Sequence, residues 1–175
     1  MQKIIIMIVT LLACTQLHAK DVKNSAYPTI KNDIIQMYKS MEKGDATIFL
    51  EKTYEGIYKL MGVDKTKGEA VLTNAISQMA KQKMQYLEVD VKKPLKTYHS
   101  KNEEACFVPI STVMKLQGKK IKSVGFMIAV KKKGSKLWKY IDGAGVSKHK
   151  EALWVLLPWL KDQDIKLPST SMEML

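Results

Sequence analysis

Residues 106–130, "CFVPISTVMKLQGKKIKSVGFMIAV", read as two strands and a turn. In the first half Cys106, Val108, Ile110, Thr112, Met114 and Leu116 occupy alternate positions and form one long, mostly apolar face. A period of two is the pattern of a pleated strand with a buried side. In the second half Val124, Phe126, Ile128 and Val130 alternate with smaller residues rather than with charges, which predicts a strand covered on both sides. Between them "QGKK", residues 117–120, supplies glycine for a turn. Pro109 has no N–H to give to a ladder, so an edge position or a bulge is expected there.

The same period extends upstream. Leu87, Val89 and Val91 alternate with Tyr86, Glu88 and Asp90 until Pro94, as in a half-buried strand. Before Met84 the period is helical. Ile30, Ile34, Met37, Tyr38 and Met41 share one face of residues 29–43, with Thr29 as an N-cap and Gly44 as a stop. Residues 45–61 repeat the spacing with Leu50, Tyr54, Ile57 and Met61, between a capping Asp45 and a terminating Gly62, and Gly56 interrupts them. Residues 66–82 carry a Thr66/Glu69 capping box and a stripe of Leu72, Ala75, Ile76 and Met79. Met37, Met41, Met61 and Met79 sit at helical spacing, as core filler does.

Downstream, residues 131–136, "KKKGSK", read as a hairpin tip whose lysines keep exposed edges unpaired; a dedicated anion site is the competing reading. A last strand covers 137–142, and Gly143 and Gly145 break it. Residues 149–160 form a short apolar helix or turn with Trp154 and Trp159, kinked at Pro158, and the tail that follows reads as loose. Helices ahead of an antiparallel sheet make an α+β domain. The expectation is N-terminal helices on a curved sheet of about four to six strands with a short C-terminal helix. The domain spans 28–160, between a linker at 20–27 and a tail at 161–175.

Residues 1–19 differ from the rest. A positive start at Lys3, the apolar block "IIIMIVTLLA" and a small residue at Ala19 have the layout of a signal peptide, too short for a spanning anchor. "LLAC", residues 11–14, also resembles a lipoprotein box that would lipidate Cys14 and tether the protein to a membrane. Either way the protein is expected to be periplasmic or secreted. With cleavage after Ala19, Cys106 is the remaining thiol and no internal disulfide can form. The formal charge is +12, and all 29 basic residues are lysine. The lack of any guanidinium fork argues against specific nucleic-acid readout, while the charge suits acidic partners.

Trp138, Tyr140 and Asp142 share one face of the last strand, where they could line a concave pocket. Alternatively, the two aromatics pack under the helices and Asp142 caps the glycine turn. His99 and His149, 50 positions apart, and one cysteine make no metal set, and no cofactor is implied.

Three features resemble the nuclear transport factor 2-like, or SnoaL-like, superfamily: "KGD" at 43–45 between leading helices, the final hairpin ending "WKYIDG", and "LWVLLPWL" at 153–160. The resemblance implies a cone-shaped sheet around a helix-lined cavity, often a homodimer through the sheet, and either isomerase- or dehydratase-type enzymes or non-catalytic binding domains. Enzymes of that kind place an Asp or His with a Tyr donor in the cone. The groups available here are Asp142, Tyr140, Tyr86, Glu88, Asp90 and His99, the last in an expected loop, and no dyad carries over. The candidate ligand-binding residues are therefore Trp138, Tyr140, Asp142 and Tyr86. The expected function is a non-catalytic, exported cell-envelope protein that holds a small apolar molecule or a protein partner. An enzyme of the superfamily and a neutraliser of an acidic toxin or factor are the alternatives.

Overall fold

The computed structural model describes residues 26–175. The leader at 1–19, lipidation at Cys14 and most of the 20–27 linker lie outside the described residues. Six helices and six strands follow one another as α1 (Tyr27–Glu42), α2 (Thr47–Lys52), α3 (Gly56–Leu60), α4 (Lys65–Lys81), β1 (Gln85–Val91), β2 (Thr97–His99), β3 (Glu103–Leu116), β4 (Lys119–Lys132), β5 (Lys139–Asp142), α5 (Gly143–Lys148), α6 (Lys150–Leu156) and β6 (Ser171–Met174). A 3₁₀ turn at Pro158–Leu160 follows α6. The α+β architecture is the one the periodicity demands: helices first, then an open antiparallel sheet, then short helices.

The β3–β4 hairpin is the spine of the sheet. Its register runs unbroken from Glu103↔Lys132 to Leu116↔Lys119. Gln117 and Gly118 both take positive φ, 49° and 83°, as a two-residue hairpin turn matched to strand twist requires. β1 and β2 pair along the outer edge of β3, and β5 and β6 along the outer edge of β4. Pro109 falls between β1, which ends at Val91↔Ile110, and β2, which begins at Thr97↔Cys106. It thus sits where no neighbouring strand needs its missing N–H, and its carbonyl accepts from Lys92 N.

The sheet buries residues on both faces. On one, α1 brings Ile30, Ile34 and Met37 against Val91, Cys106, Val108, Ile110, Met127 and Ala129. On the other, Leu153, Leu156, Leu157 and Leu160 cover Phe107, Phe126, Ile128 and Val130. The double covering expected of residues 123–130 is met, because successive side chains of β4 enter different cores.

Several local expectations are corrected. Thr29 is not the cap of α1, which starts at Tyr27 after Ala26, and the Tyr27 hydroxyl donates to Val91 O. Residues 45–61 are two helices, because Thr53 leaves the helix to bridge Tyr140 beside Gly56. The cap of α4 is Asp64, whose carboxylate accepts from Lys67 N, rather than Thr66. The strand expected at 137–142 starts at Lys139, two residues later, and is followed by a further strand, β6. His99 lies in β2 rather than in a loop. The tail is tied down: β6 pairs with Ile121–Val124 of β4.

Candidate functional site

A cavity of about 650 Å³ lies between the helices and the α1-facing side of the sheet. That is ample for a small ligand, for which about 300 Å³ suffices. Its existence follows from side-chain size. On β4 the face that meets α1 carries Ser123, Gly125, Met127 and Ala129, whereas Phe126, Ile128 and Val130 fill the other core. A methyl group added at Gly125 would meet nothing within 4 Å. Because α1 covers only the end of this face nearer β5, a hollow remains beside Ser123 and Gly125. Leu72, Ala75, Ile76 and Met79 of α4 roof it. Met41, Met114, Met127 and Met172 add flexible thioethers to the wall.

Two phenols enter this apolar space. Tyr38 of α1 and Tyr86 of β1 meet edge to face, with ring centroids 4.8 Å apart. Strict alternation would group Leu87 with Val89 and Val91 and turn Tyr86 away from them. The register instead slips between Tyr86↔Met114 and Glu88↔Val113, so Leu87 is an extra residue, a β-bulge. The bulge puts Tyr86 on the face of Val89 and Val91 and leaves Leu87 51 % exposed. Thr112 and Ser123 contribute hydroxyls from the sheet.

At the rim stands Asp142, the last residue of β5. Its Oδ1 accepts from Ala144 N at 2.8 Å and so caps α5, whose Ser147 and Lys148 also border the opening. Burial first, and the Asp142 charge second, raise the Tyr86 phenol from its ordinary 10.0 to about 12. The same two causes lift Tyr38 still higher. Both phenols therefore stay protonated at neutral pH and can donate to a ligand's oxygen. The second wall of the opening is the C-terminal segment, through Thr170, Ser171 and Met172.

The four candidate residues separate. Tyr86 and Asp142 border the cavity. Trp138 is 3 % exposed within the α1 core, with Lys131 Nζ 4.9 Å from its ring centre. Tyr140 is equally buried, and its hydroxyl donates to Asp33 Oδ2 at 2.8 Å while Lys52 holds Asp33 Oδ1 at 3.1 Å. The aromatics thus pack under α1 and Asp142 caps the glycine turn, the alternative that the strand face left open. His99 is exposed and faces Glu104 at 3.6 Å, outside the cavity. Glu88 and Asp90 alternate with Val89 and Val91 and point to the opposite face of β1. Burial pushes the Cys106 thiol up to about 12, which keeps it un-ionised at neutral pH.

Tyr38, Gly125 and the 170–172 segment join the site without having been singled out. Tyr38 reads only as part of a helical stripe, and the signal at Gly125 is a small residue among bulky neighbours. Nothing in the tail announces its place. Among the described residues no group of three His, Cys, Asp or Glu could hold a metal ion, and no helix is long and apolar enough to cross a membrane. Compared with known proteins, the chain matches no family model, no curated protein and no solved structure.

Proposed function

We propose that this chain is an exported, non-catalytic binding protein of the cell envelope, a nuclear transport factor 2-like cone that holds a small apolar molecule with one oxygen-bearing end. The observation that carries this reading is the cavity beside Gly125, walled by aliphatic and thioether groups and supplied with two protonated phenols. The apolar body of a ligand would lie against Leu72, Ile76, Met79 and Met114, and its oxygen would accept from Tyr38 or Tyr86. Helices preceding an antiparallel sheet, with a hollow between them, support the cone. The signal-like layout of residues 1–19 supports export. A homodimer through the sheet belongs to the same reading, and sedimentation would test it.

A binding role fits the residues better than the superfamily's isomerase, dehydratase or hydrolase chemistry. Asp142, whose charge acts on both phenols, already caps α5. The Tyr140 hydroxyl is spent on Asp33, and His99 lies elsewhere.

The test fills the hollow. Gly125 has no positive φ and an added Cβ meets open space, so Gly125→Leu should fold with a midpoint in urea close to that of the unsubstituted chain. The dye 1-anilinonaphthalene-8-sulfonate should brighten on the unsubstituted chain and brighten several-fold less on Gly125→Leu. Equal brightening on both would sink the cavity as the binding site.

A further inference from the structure

A second cleft, of about 330 Å³, lies between α3 and the β4–β5 connection, apart from the large cavity. Its origin is in the residues 131–138 that the sequence leaves between a hairpin tip and an anion site. Ser135 N donates to Lys132 O at 3.0 Å around Gly134, whose φ is +81°. The chain then does not return at once to the sheet: Val130 pairs with Lys139, and eight residues lie between them. Leu137 N donates to Ser135 Oγ at 3.0 Å, and the Leu137 side chain stays 61 % exposed at the cleft wall. A tight hairpin would have neither the cleft nor the exposed leucine.

The charge around it is one-sided. Lys59 comes from α3, Lys132 from the end of β4 and Lys139 from the start of β5. The one carboxylate in the wall, Glu55, already faces Lys65 at 3.5 Å. Lys132 continues the surface to Lys101 and Lys133 beside Trp159, where the one carboxylate, Glu103, accepts from Trp159 Nε1 at 3.1 Å and from the Tyr54 hydroxyl at 3.4 Å. A backbone bond from Lys133 N to Asn102 O, 2.8 Å, fixes the two turns together. The exposed Leu137 is thus flanked by amines from three separate elements, of which the Lys139 amine already donates to Glu51 O while Lys59 and Lys132 stay exposed.

We propose that this cleft docks an acidic polypeptide segment of a partner protein, with an apolar side chain against Leu137 and carboxylates toward Lys59 and Lys132. Charge complementarity selects the occupant. Lysines around a concavity reach spaced carboxylates on a narrow chain better than they reach a flat anionic bilayer. The lack of arginine removes the bidentate fork on which phosphate-backbone recognition leans. This docking site stands independently of the large cavity and of any ligand there.

The probe is a fluorescein-labelled twelve-residue peptide of alternating Glu and Leu, titrated with the whole chain and read by anisotropy. Binding should weaken as salt rises. The double variant Lys59→Glu/Lys132→Glu should lose about tenfold or more in affinity, the sum of two exposed pairs turned from attractive to repulsive. Lys119→Glu/Lys120→Glu, the same charge change at the opposite end of β4, should bind as the unsubstituted chain does. Leu137→Ser should weaken binding several-fold with an unchanged urea midpoint. Equal losses in both double variants would reduce the effect to net charge and overturn the docking site. So would failure of the peptide to bind, or binding only to phosphatidylglycerol vesicles.

Discussion

The two faces of β4 are built from adjacent residues and have opposite characters. Toward α6, Phe126, Ile128 and Val130 meet Phe107, Leu153, Leu156 and Leu160, all of them buried. Toward α1 the sequence offers Ser123, Gly125, Met127 and Ala129. Where α1 reaches, at Met127 and Ala129, this face also packs; beyond its reach, at Ser123 and Gly125, it is hollow. Backbone hydrogen bonding is the same on both faces, because one ladder serves them. The difference is side-chain volume at alternate positions, and it decides where the protein stores stability and where it stores space.

The largest expected effect falls on the α6 side. Phe107→Ala removes a ring that is 2 % exposed and stacked edge-on with Tyr98 and Phe126, and should cost about 4 kcal/mol in urea unfolding. Met114→Ala, whose side chain borders the hollow, should cost about 1 kcal/mol, since it leaves no new closed void. Similar costs for the two would remove the distinction between the faces.

Next comes the polar lock between the α1 face and β5. Tyr140→Phe leaves Asp33 with Lys52 but without its phenol, and should cost about 1–2 kcal/mol. Tyr86→Phe, at the cavity, should move the midpoint by less than about 0.5 kcal/mol. A Tyr86 variant as unstable as the Tyr140 one would make the cavity wall a structural element and not a free surface.

The smallest effect at working pH, and the one that grows with alkali, is titration. Burial raises Tyr54 and Tyr86 from 10.0 to about 12, and Tyr38 and Tyr140 further. An unfolded chain ionises these phenols near pH 10, whereas the folded chain keeps their protons. Their contribution is therefore intact below pH 10 and is lost as pH climbs from 10 to each folded value, about 12 for Tyr54 and Tyr86 and higher for Tyr38 and Tyr140. Each fully shielded phenol would add a slope of about 1.4 kcal/mol per pH unit, less for the half-buried Tyr54 and Tyr86. Urea midpoints at pH 9, 10 and 11 check this. Tyr140→Phe should flatten the alkaline limb, and an unchanged limb would mean that Tyr140 ionises freely in the fold.

Much of this architecture is legible in single residues. The alternation from Cys106 to Val130 specifies the hairpin, its turn at Gln117–Gly118 and its two buried faces. Ile30, Ile34 and Met37 mark the buried side of α1. Strand register is harder to read, because one extra residue at Leu87 reverses which side chain meets the cavity and leaves no mark in composition. The break after Lys52 is similar: Thr53 leaves the helix for a bridge to Tyr140, a partner 87 positions away. The tail shows the same limit. "SMEM" carries no strong strand signal, and it becomes β6 because the edge of β4 at 121–124 has unpaired backbone to offer.

The α+β class, the buried stripe of α1, the long central hairpin and the positive, arginine-free composition follow from local period, turn chemistry and residue counts. That Tyr86 and Asp142 border one cavity while Trp138 and Tyr140 do not, and that a second cleft opens beside Leu137, comes from the packing. Those outcomes depend on a bulge, on how far α1 extends over the sheet and on how wide one loop is. The first two are set by contacts between residues far apart in the chain, and the third by turn bonds at Ser135 together with the Lys133 N to Asn102 O bond between two turns, none of which a period records.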